Sequence, residues 1–370
     1  MIPIKSITLH KLEMKLKHPF KTSFGSVQHK QFFIIEAIDT EGNRGYGESV
    51  AFTTPWYTEE TTKTTEHIIV DFLIPLLKQN KLHHPEEVLE IFSSIRRNNM
   101  AKAAVEGAIW DLYAKQNNIS LASALGGERD SIDVGISIGM QQTTDELAIR
   151  IEEALEQGFK RFKVKIGPGN DLELLESIRR KFPNIPLMAD ANSAYTLEDI
   201  DHLKQLDQFD LMMIEQPLAH DDIVDHAKLQ EKIETPICLD ESIHSLEDVK
   251  RAVSLGSCQV INVKAGRVGG LSEAKKIHDF CVEKDVDLWC GGMLEAGIGR
   301  AHCIALTSLP GFNLPGDTAG SDHYWHEDII NPKVVVNNGT IAVPKGVGIG
   351  FDLNLAAFNQ YRIAKETFPF

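Results

Sequence analysis

The stretch RFKVKIGPGNDLELLESIRRKFPNIPLMADAN (161–192) contains the structural unit that the centre of this chain repeats. A short apolar run ends in a polar or charged residue, a turn follows, and a segment with helical periodicity leads into the next run. Alternation along the first run places Lys163 and Lys165 on one face of a strand. The runs that share this pattern are VGISIG (134–139), RFKVKIG (161–167), IPLMADAN (185–192), LMMIEQP (211–217), PICLDES (236–242), QVINVKAG (259–266), VDLWCGGM (286–293) and, more weakly, FNLPGD (312–317).

Strand–helix alternation of this kind predicts an α/β fold with a parallel sheet. The eight runs favour a closed (β/α)8-type barrel over roughly 126–318. An open, doubly wound sheet is the alternative, but it gives no reason for a functional residue at the end of each successive strand. The pairs Thr143/Glu146 and Ser245/Asp248 fit the capping-box pattern at two helix starts.

The two ends of the chain do not follow the repeat. Residues 1–125 begin with alternating strands and continue with helical segments. In the tail, Asn338-Gly339 is a strong hairpin-turn signal within KVVVNNGTIAVP. We therefore predict an α+β domain that is built from 1–125 and completed by 319–370.

The composition restricts the class of protein. Acidic residues outnumber basic ones to give a net charge of −15, and no basic run offsets it, so we expect no nucleic-acid partner. No apolar stretch is long enough to span a bilayer, and the N-terminal stretch alternates like a strand, unlike a signal peptide. The five cysteines are scattered without a C-x-x-C pair, which favours a reducing cytoplasm over disulfides or a zinc site.

One ionisable residue ends each of five consecutive predicted strands: Lys165, Asp190, Glu215, Asp240 and Lys264, separated by 25, 25, 25 and 24 positions. In a parallel barrel these ends open into one bowl on the C-terminal face, where barrel enzymes carry their chemistry. A single Asp at a strand end is most often a turn former or helix cap, and a lone Lys there is usually solvated. Five in register favour a functional site, because unpaired charges gathered in a partly buried bowl are costly.

Three carboxylates on adjacent strands, with no His or Cys in register, match a hard divalent cation, Mg²⁺ or alternatively Mn²⁺. Zinc, which favours nitrogen and sulfur ligands, fits this set poorly. Asn192 and Glu241 stand beside two of the carboxylates. They would either support the ligands or simply form turns.

Lysines on both sides of the carboxylates suggest proton transfer. An unperturbed Lys has a pKa of about 10.4, and a base at neutral pH needs that pKa lowered to about 7–8. A second lysine and a bound cation would act in that direction. We therefore interpret Lys165 as the base and Lys163 as the residue that tunes it or binds substrate oxygen, in a reaction that removes a proton next to a carboxylate through an enediolate.

The motifs K-x-K (163–165), DAN, EQP, LDES and KAGRVGG follow one another in an order that resembles the muconate-lactonising branch of the enolase superfamily. The resemblance spans essentially the whole chain. It implies a modified TIM barrel of the (β/α)7β type with an α+β capping domain. It also implies that Asp190, Glu215 and Asp240 are the Mg²⁺ ligands, with Lys165 and Lys264 on opposite faces of the substrate.

Within that branch, GGMLEAGIGRAH (291–302) and TPWYTEET (54–61) resemble the subgroup of o-succinylbenzoate synthases and N-succinylamino acid racemases. This implies syn dehydration of 2-succinyl-6-hydroxy-2,4-cyclohexadiene-1-carboxylate in menaquinone biosynthesis. Lys165 would remove the α-proton and then protonate the departing hydroxide, and Lys264 would stabilise the intermediate. In a racemase the two lysines would exchange roles as acid and base.

Further residues are expected around a small carboxylate substrate. Arg267 matches an arginine associated with the racemase-containing subgroup, and we expect Ser137 and Met293 to lie near the substrate. By the same resemblance, loops at 21–26 and 52–57 would form a lid, and the protein would be a homo-oligomer.

Other reactions stay open. An N-succinylamino acid racemase, a muconate cycloisomerase and a dipeptide epimerase need the same central residues, although the epimerases carry a D-x-D motif where this chain has PGD (315–317). A Schiff-base aldolase would use Lys165 or Lys264 as nucleophile but leaves the carboxylates without a role. A non-catalytic barrel is a third class.

Overall fold

The computed structural model describes residues 1–22, 25–139, 141 and 143–370, with no side-chain description for residues 21–26. Its strands, in chain order, are β1 Ile4–Thr22, β2 Gly25–Asp39, β3 Arg44–Glu48, β4 Ser131–Asp133, β5 Ile136–Ile138, β6 Phe162–Lys165, β7 Leu187–Asp190, β8 Ile214–Glu215, β9 Ile237–Leu239, β10 Val260–Val263, β11 Asp287–Cys290, β12 Ile330–Asn331, β13 Thr340–Ala342, β14 Asp352–Leu353 and β15 Arg362–Pro369.

The helices fall into a group before β4, a group that alternates with the barrel strands and two short helices in the C-terminal tail. The α-helices are Thr62–Ile68, Ile74–Gln79, Val88–Ile91, Asn99–Gln116, Leu121–Leu125, Thr144–Glu156, Asp171–Lys181, Ile200–Leu203, Val224–Gln230, Leu246–Leu255, Ala265–Val268, Leu271–Lys284, Gly297–Thr307, Ser321–Tyr324 and Leu355–Tyr361. Short 3₁₀ turns occupy Pro85–Glu87, Leu197–Asp199 and Lys204–Phe209, and a π turn occupies Ile69–Leu73.

The first strands form an antiparallel sheet in the order β15-β1-β2-β3, so the last strand of the chain lies beside the first. Helix Asn99–Gln116 packs on this sheet at very short range. Gly47 of β3 makes this possible, because a Cβ there would lie 2.0 Å from the Ala104 carbonyl oxygen. The strand-rich N-terminal domain expected from the sequence is confirmed. The domain boundaries at 125/126 and 318/319 stay predictions.

The seven strands β5 to β11 form one parallel sheet in sequential order. Residues 314–317 bridge its two edges: Leu314 N and Asp317 N donate to carbonyls of β11, and the Gly316 carbonyl accepts from Gly135 N. The segment is not a regular strand, since Pro315 lacks the N–H that a strand ladder requires. The closed (β/α)7β arrangement is therefore confirmed, and the open doubly wound sheet is excluded.

The two predicted helix starts and the predicted turn are also found. The side chains of Thr143 and Ser245 accept hydrogen bonds from the backbones of Glu146 and Asp248, and each begins a helix. The Asn338-Gly339 turn has φ of 49° and 70°, as a tight hairpin turn needs. After this turn, β13 pairs with β4 instead of continuing a hairpin with the preceding residues. Among the described residues, every helix is too short or too polar to cross a membrane.

Candidate active site

The strand register gathers the five strand-end residues on one edge of the barrel. Lys165, Asp190 and Glu215 are direct neighbours across β6, β7 and β8. Asp240 and Lys264 follow the last residues of β9 and β10. The structure thus brings all five to the C-terminal mouth, and it places Lys165 and Lys264 four strands apart across the bowl.

The two lysines of β6 differ in exposure and partners. The Lys163 side chain is 7% exposed, and its Nζ donates to Glu215 at 3.0 Å and to Asp317 at 2.7 Å. The Lys165 side chain is 33% exposed, and its Nζ donates to Asp190 at 2.6 Å and to Asn192 Oδ1 at 2.5 Å. Lys165 is therefore the lysine of this strand that a bound molecule can reach.

On the far side of the bowl, Lys264 and Arg267 share two oxygen-bearing partners. Lys264 Nζ donates to Asp240 Oδ2 at 2.8 Å and to the Tyr57 hydroxyl at 2.9 Å. Arg267 donates to the other oxygen of Asp240 and, at 3.1 Å, to Tyr57. The Arg267 guanidinium also donates to the carbonyl of Ile243 at 2.6 Å. Tyr57 comes from the region before the barrel, so both parts of the fold build this corner.

The remaining sequence-predicted residues lie around this frame. Asn192 Nδ2 donates to Glu241 Oε1 at 3.1 Å, and the other oxygen of Glu241 is buried without a partner in the described part of the chain. Ser137 Oγ donates to Asp317 Oδ1 at 3.2 Å. Met293 is buried, and its backbone carbonyl accepts a hydrogen bond from Lys30 Nζ at 3.2 Å.

Burial and neighbouring charges shift the pKa values of Glu215 and Asp240 in opposite directions. Burial raises the pKa of Glu215 to about 8, and the charge of Asp190 adds to this while Lys163 opposes it. Burial acts in the same direction on Asp240, but Arg267 and Lys264 outweigh it and hold the pKa of Asp240 well below its usual range. The pKa of each of these carboxylates therefore depends on the cations that contact it.

The donor set suits a hard divalent cation, although the side chains are not arranged around one. Within the described ranges, no three His, Cys, Asp or Glu side chains are grouped so as to hold a metal ion. The carboxylates of Asp190, Glu215 and Asp240 instead face ammonium and guanidinium groups, which supply the positive charge that the cluster needs. Carboxylate oxygens whose burial and mutual repulsion raise the pKa of Glu215 fit a dication chemically, provided that the lysines move away from them.

Sequence reasoning missed several residues of the bowl. Asp317 appeared within the run FNLPGD and its motif PGD, Arg161 as the first residue of the opening stretch, and Tyr57 within a resemblance motif and a predicted lid loop, and none of them was assigned to the site. Asn262 Nδ2 donates to Glu215 Oε1 at 2.8 Å and had no signal at all. Arg161, Tyr57 and Asn262 do not end predicted strands, so the spacing of strand ends could not find them. Asp317 ends the weakest of the eight runs, and that position was a signal that could have identified it.

The predicted lid is only partly within the described residues. Phe52 and Trp56 pack together with ring centroids 4.8 Å apart, and Phe20 lies 6.4 Å from Trp56. Residues 23 and 24 of the other predicted lid loop lie outside the described residues. The lid stays a prediction.

Comparison with known proteins gives full-length matches. The profile described as mandelate racemase / muconate lactonizing enzyme, N-terminal domain, matches residues 4–126, and the profile described as enolase C-terminal domain-like matches 146–357. A Geobacillus kaustophilus protein named o-succinylbenzoate synthase is 58% identical over 360 residues, or 97% of this chain and 96% of its own. A Thermus thermophilus protein named N-succinylamino acid racemase is 44% identical over 95% of each chain.

A solved structure shows the same fold over its full length. An enolase superfamily member from Listeria innocua is 48% identical to this chain and covers 100% of both chains with a TM-score of 0.98.

Proposed function

The chain belongs to the mandelate racemase / muconate lactonizing enzyme family of the enolase superfamily, and from that premise we propose that it is an o-succinylbenzoate synthase. The reaction is the syn dehydration of 2-succinyl-6-hydroxy-2,4-cyclohexadiene-1-carboxylate, a carbon–oxygen lyase reaction. The proposed setting is menaquinone biosynthesis in the cytoplasm, by a homo-oligomer.

The observation that carries the proposal is the pair of lysines on opposite sides of three buried carboxylates. Lys165 is the last residue of β6, and Lys264 directly follows β10, so a substrate between them would meet one lysine on each face. A Schiff-base aldolase needs one lysine and gives the carboxylates no task. The arrangement instead fits removal of a proton next to a carboxylate.

Asp190, Glu215 and Asp240 are the residues that would hold a divalent cation, with Mg²⁺ the proposed metal. When bound, such a cation stabilises the negative charge that develops on the substrate carboxylate. The carboxylates of the bowl are balanced by the cations that face them, so an added dication leaves the mouth net positive. This favours a substrate with two carboxylates, which the proposed substrate has.

Lys165 is the proposed base. Its greater exposure lets its Nζ reach the α-proton of the substrate. Its hydrogen bond to Asn192 Oδ1 keeps the Nζ in place while the lysine is unprotonated. The same Nζ then returns the proton to the departing hydroxide on the same face, as a syn elimination requires. Lys163 is held by carboxylates away from this position and remains a fixed positive charge.

Lys264 is the proposed electrostatic partner on the opposite face. Burial lowers the pKa of Lys264, but Asp240 and Tyr57 outweigh it and hold the pKa well above its usual value. A Lys264 ammonium held beside Asp240 suits stabilisation of the negative charge that develops on the substrate.

A racemase is the second candidate, because Arg267 matches an arginine associated with the racemase-containing subgroup and because a relative named N-succinylamino acid racemase matches 95% of this chain. Both activities use the same lysines, so one site would support both. Muconate cycloisomerase and dipeptide epimerase remain further possibilities of this family.

The test is turnover of the cyclohexadiene precursor by metal-free and metal-loaded enzyme. Enzyme dialysed against EDTA should lose the decay of diene absorbance, and added Mg²⁺ should restore it. Borohydride trapping of substrate on the protein, unaffected by EDTA, would contradict the proposal and favour the aldolase. Loss of turnover in Lys165→Ala with an unchanged circular dichroism spectrum completes the assignment.

A further inference from the structure

Asp317 is the carboxylate of the bowl for which the proposed reaction has no task. It is the last residue of the irregular eighth segment of the barrel (314–317), and its side chain is 13% exposed. Both of its oxygens are used: Oδ2 accepts from Lys163 Nζ at 2.7 Å, and Oδ1 accepts from Arg161 Nη2 at 2.6 Å. Ser137 adds a third hydrogen bond at 3.2 Å.

Arg161 holds Asp317 in place through the interior of the barrel. Its Nε and Nη2 donate to the Pro315 carbonyl at 3.2 and 3.1 Å, and its guanidinium lies 4.8 Å from the Trp289 ring centroid. The space for it exists because Gly135 has no side chain; a Cβ there would lie 2.5 Å from Arg161 Cζ. Asp317 is thus fixed by a buried ion pair and a backbone contact.

Lys163 lies between this fixed carboxylate and two carboxylates of the proposed metal set. Its Nζ is 2.7 Å from Asp317, 3.0 Å from Glu215 and 3.6 Å from Asp190, and 4.9 Å from the Trp289 ring centroid. An ammonium group paired with Glu215 and Asp190 competes with any dication for those oxygens. The position of Lys163 therefore sets how available the metal ligands are.

We propose that Asp317 is a positioning residue that draws the Lys163 ammonium toward the eighth segment, weakens its pairing with Glu215 and Asp190, and so makes these two carboxylates more available to a divalent cation. Without the Asp317 charge, Lys163 moves fully onto Glu215 and Asp190 and weakens cation binding. This inference rests on the proposed function only in assigning those carboxylates to a metal.

The test is Mn²⁺ affinity, measured from the electron paramagnetic resonance signal of free Mn²⁺ in a titration that needs no substrate. Asp317→Asn should weaken Mn²⁺ binding at least tenfold, and Asp317→Ser serves as a second neutral variant. In a Lys163→Met background, Asp317→Asn should weaken binding less than threefold, because the competing ammonium is gone. The difference between the effects of Asp317→Asn in these two backgrounds distinguishes positioning of Lys163 from a general loss of negative charge.

Asp328→Asn is the matched control. Asp328 forms a buried ion pair with Arg300 at 2.9 Å outside the bowl, so its loss should lower stability while leaving Mn²⁺ affinity within twofold. Equal weakening by Asp317→Asn with and without Lys163, or Mn²⁺ affinity unchanged by Asp317→Asn, overturns the inference, as does a parent enzyme that binds no Mn²⁺. A parent that binds Mn²⁺ but does not turn over the diene contradicts the proposed function alone.

Discussion

The hydroxyl of Tyr57 gives a prediction whose size follows from the structure. It accepts hydrogen bonds from Lys264 Nζ at 2.9 Å and from Arg267 at 3.1 Å. Lys264 and Arg267 are buried, and Tyr57 is partly buried. Tyr57→Phe removes only the oxygen. Arg267 retains Asp240 and the Ile243 carbonyl, whereas Lys264 retains Asp240 alone.

A hydrogen bond to a charged group contributes about 1.5–3 kcal/mol. If Lys264 must be held in place in the transition state, that loss lowers kcat by about 10- to 100-fold, since each 1.36 kcal/mol is a factor of ten. The assay is steady-state dehydration, with KM expected to change less than about threefold. Tyr46→Phe is the control, because its hydroxyl donates to Glu36 at 3.2 Å in the N-terminal sheet. A kcat for Tyr57→Phe within twofold of the parent would refute the positioning of Lys264 by this hydroxyl.

Other variants test the site and the fold separately. Lys165→Ala should abolish both dehydration and α-deuterium exchange in D₂O while the circular dichroism spectrum stays that of the parent; residual exchange would assign the base elsewhere. Burial lowers the pKa of His302 to about 4, below that of a free histidine. The unfolded chain therefore binds a proton at this imidazole more tightly than the folded protein does. Stability should therefore fall as pH drops from about 6.5 to 4, and urea midpoints should show a smaller drop in His302→Gln. Gly47→Ala should destabilise the N-terminal sheet by about 1–3 kcal/mol because its Cβ would overlap the facing helix, whereas Gly139→Ala, with open space around it, should change the urea midpoint little.

The barrel could be predicted because its signal is local and repeated. Each strand is an apolar run that ends in a polar residue. Because the strands pair in parallel and in sequence order, residues that are equally spaced along the chain become neighbours in the sheet, as Lys165, Asp190 and Glu215 do. The Asn338-Gly339 turn was equally readable, since its φ values depend on those two residues alone. The partner of the following strand was not, because β13 pairs with a strand some 200 positions away.

The remaining parts of the site depend on contacts that sequence spacing does not encode. Tyr57 reaches Lys264 only because the N-terminal domain packs over the barrel mouth. Arg161 occupies the barrel interior only because Gly135 leaves room, and Asp317 belongs to a segment whose proline breaks the strand pattern. The sequence predicted that Asp190, Glu215 and Asp240 would hold a divalent cation, whereas the structure pairs each of these three with an ammonium or guanidinium group.

The most direct test of the proposed function is ¹H NMR of the purified enzyme with Mg²⁺ in D₂O, on two substrates separately. One is the cyclohexadiene precursor of o-succinylbenzoate, and the other is N-succinyl-phenylalanine. We expect fast dehydration of the first and slower exchange of the α-proton of the second. Fast exchange with slow dehydration would make the enzyme a racemase, and no turnover of either substrate with metal present would contradict the account.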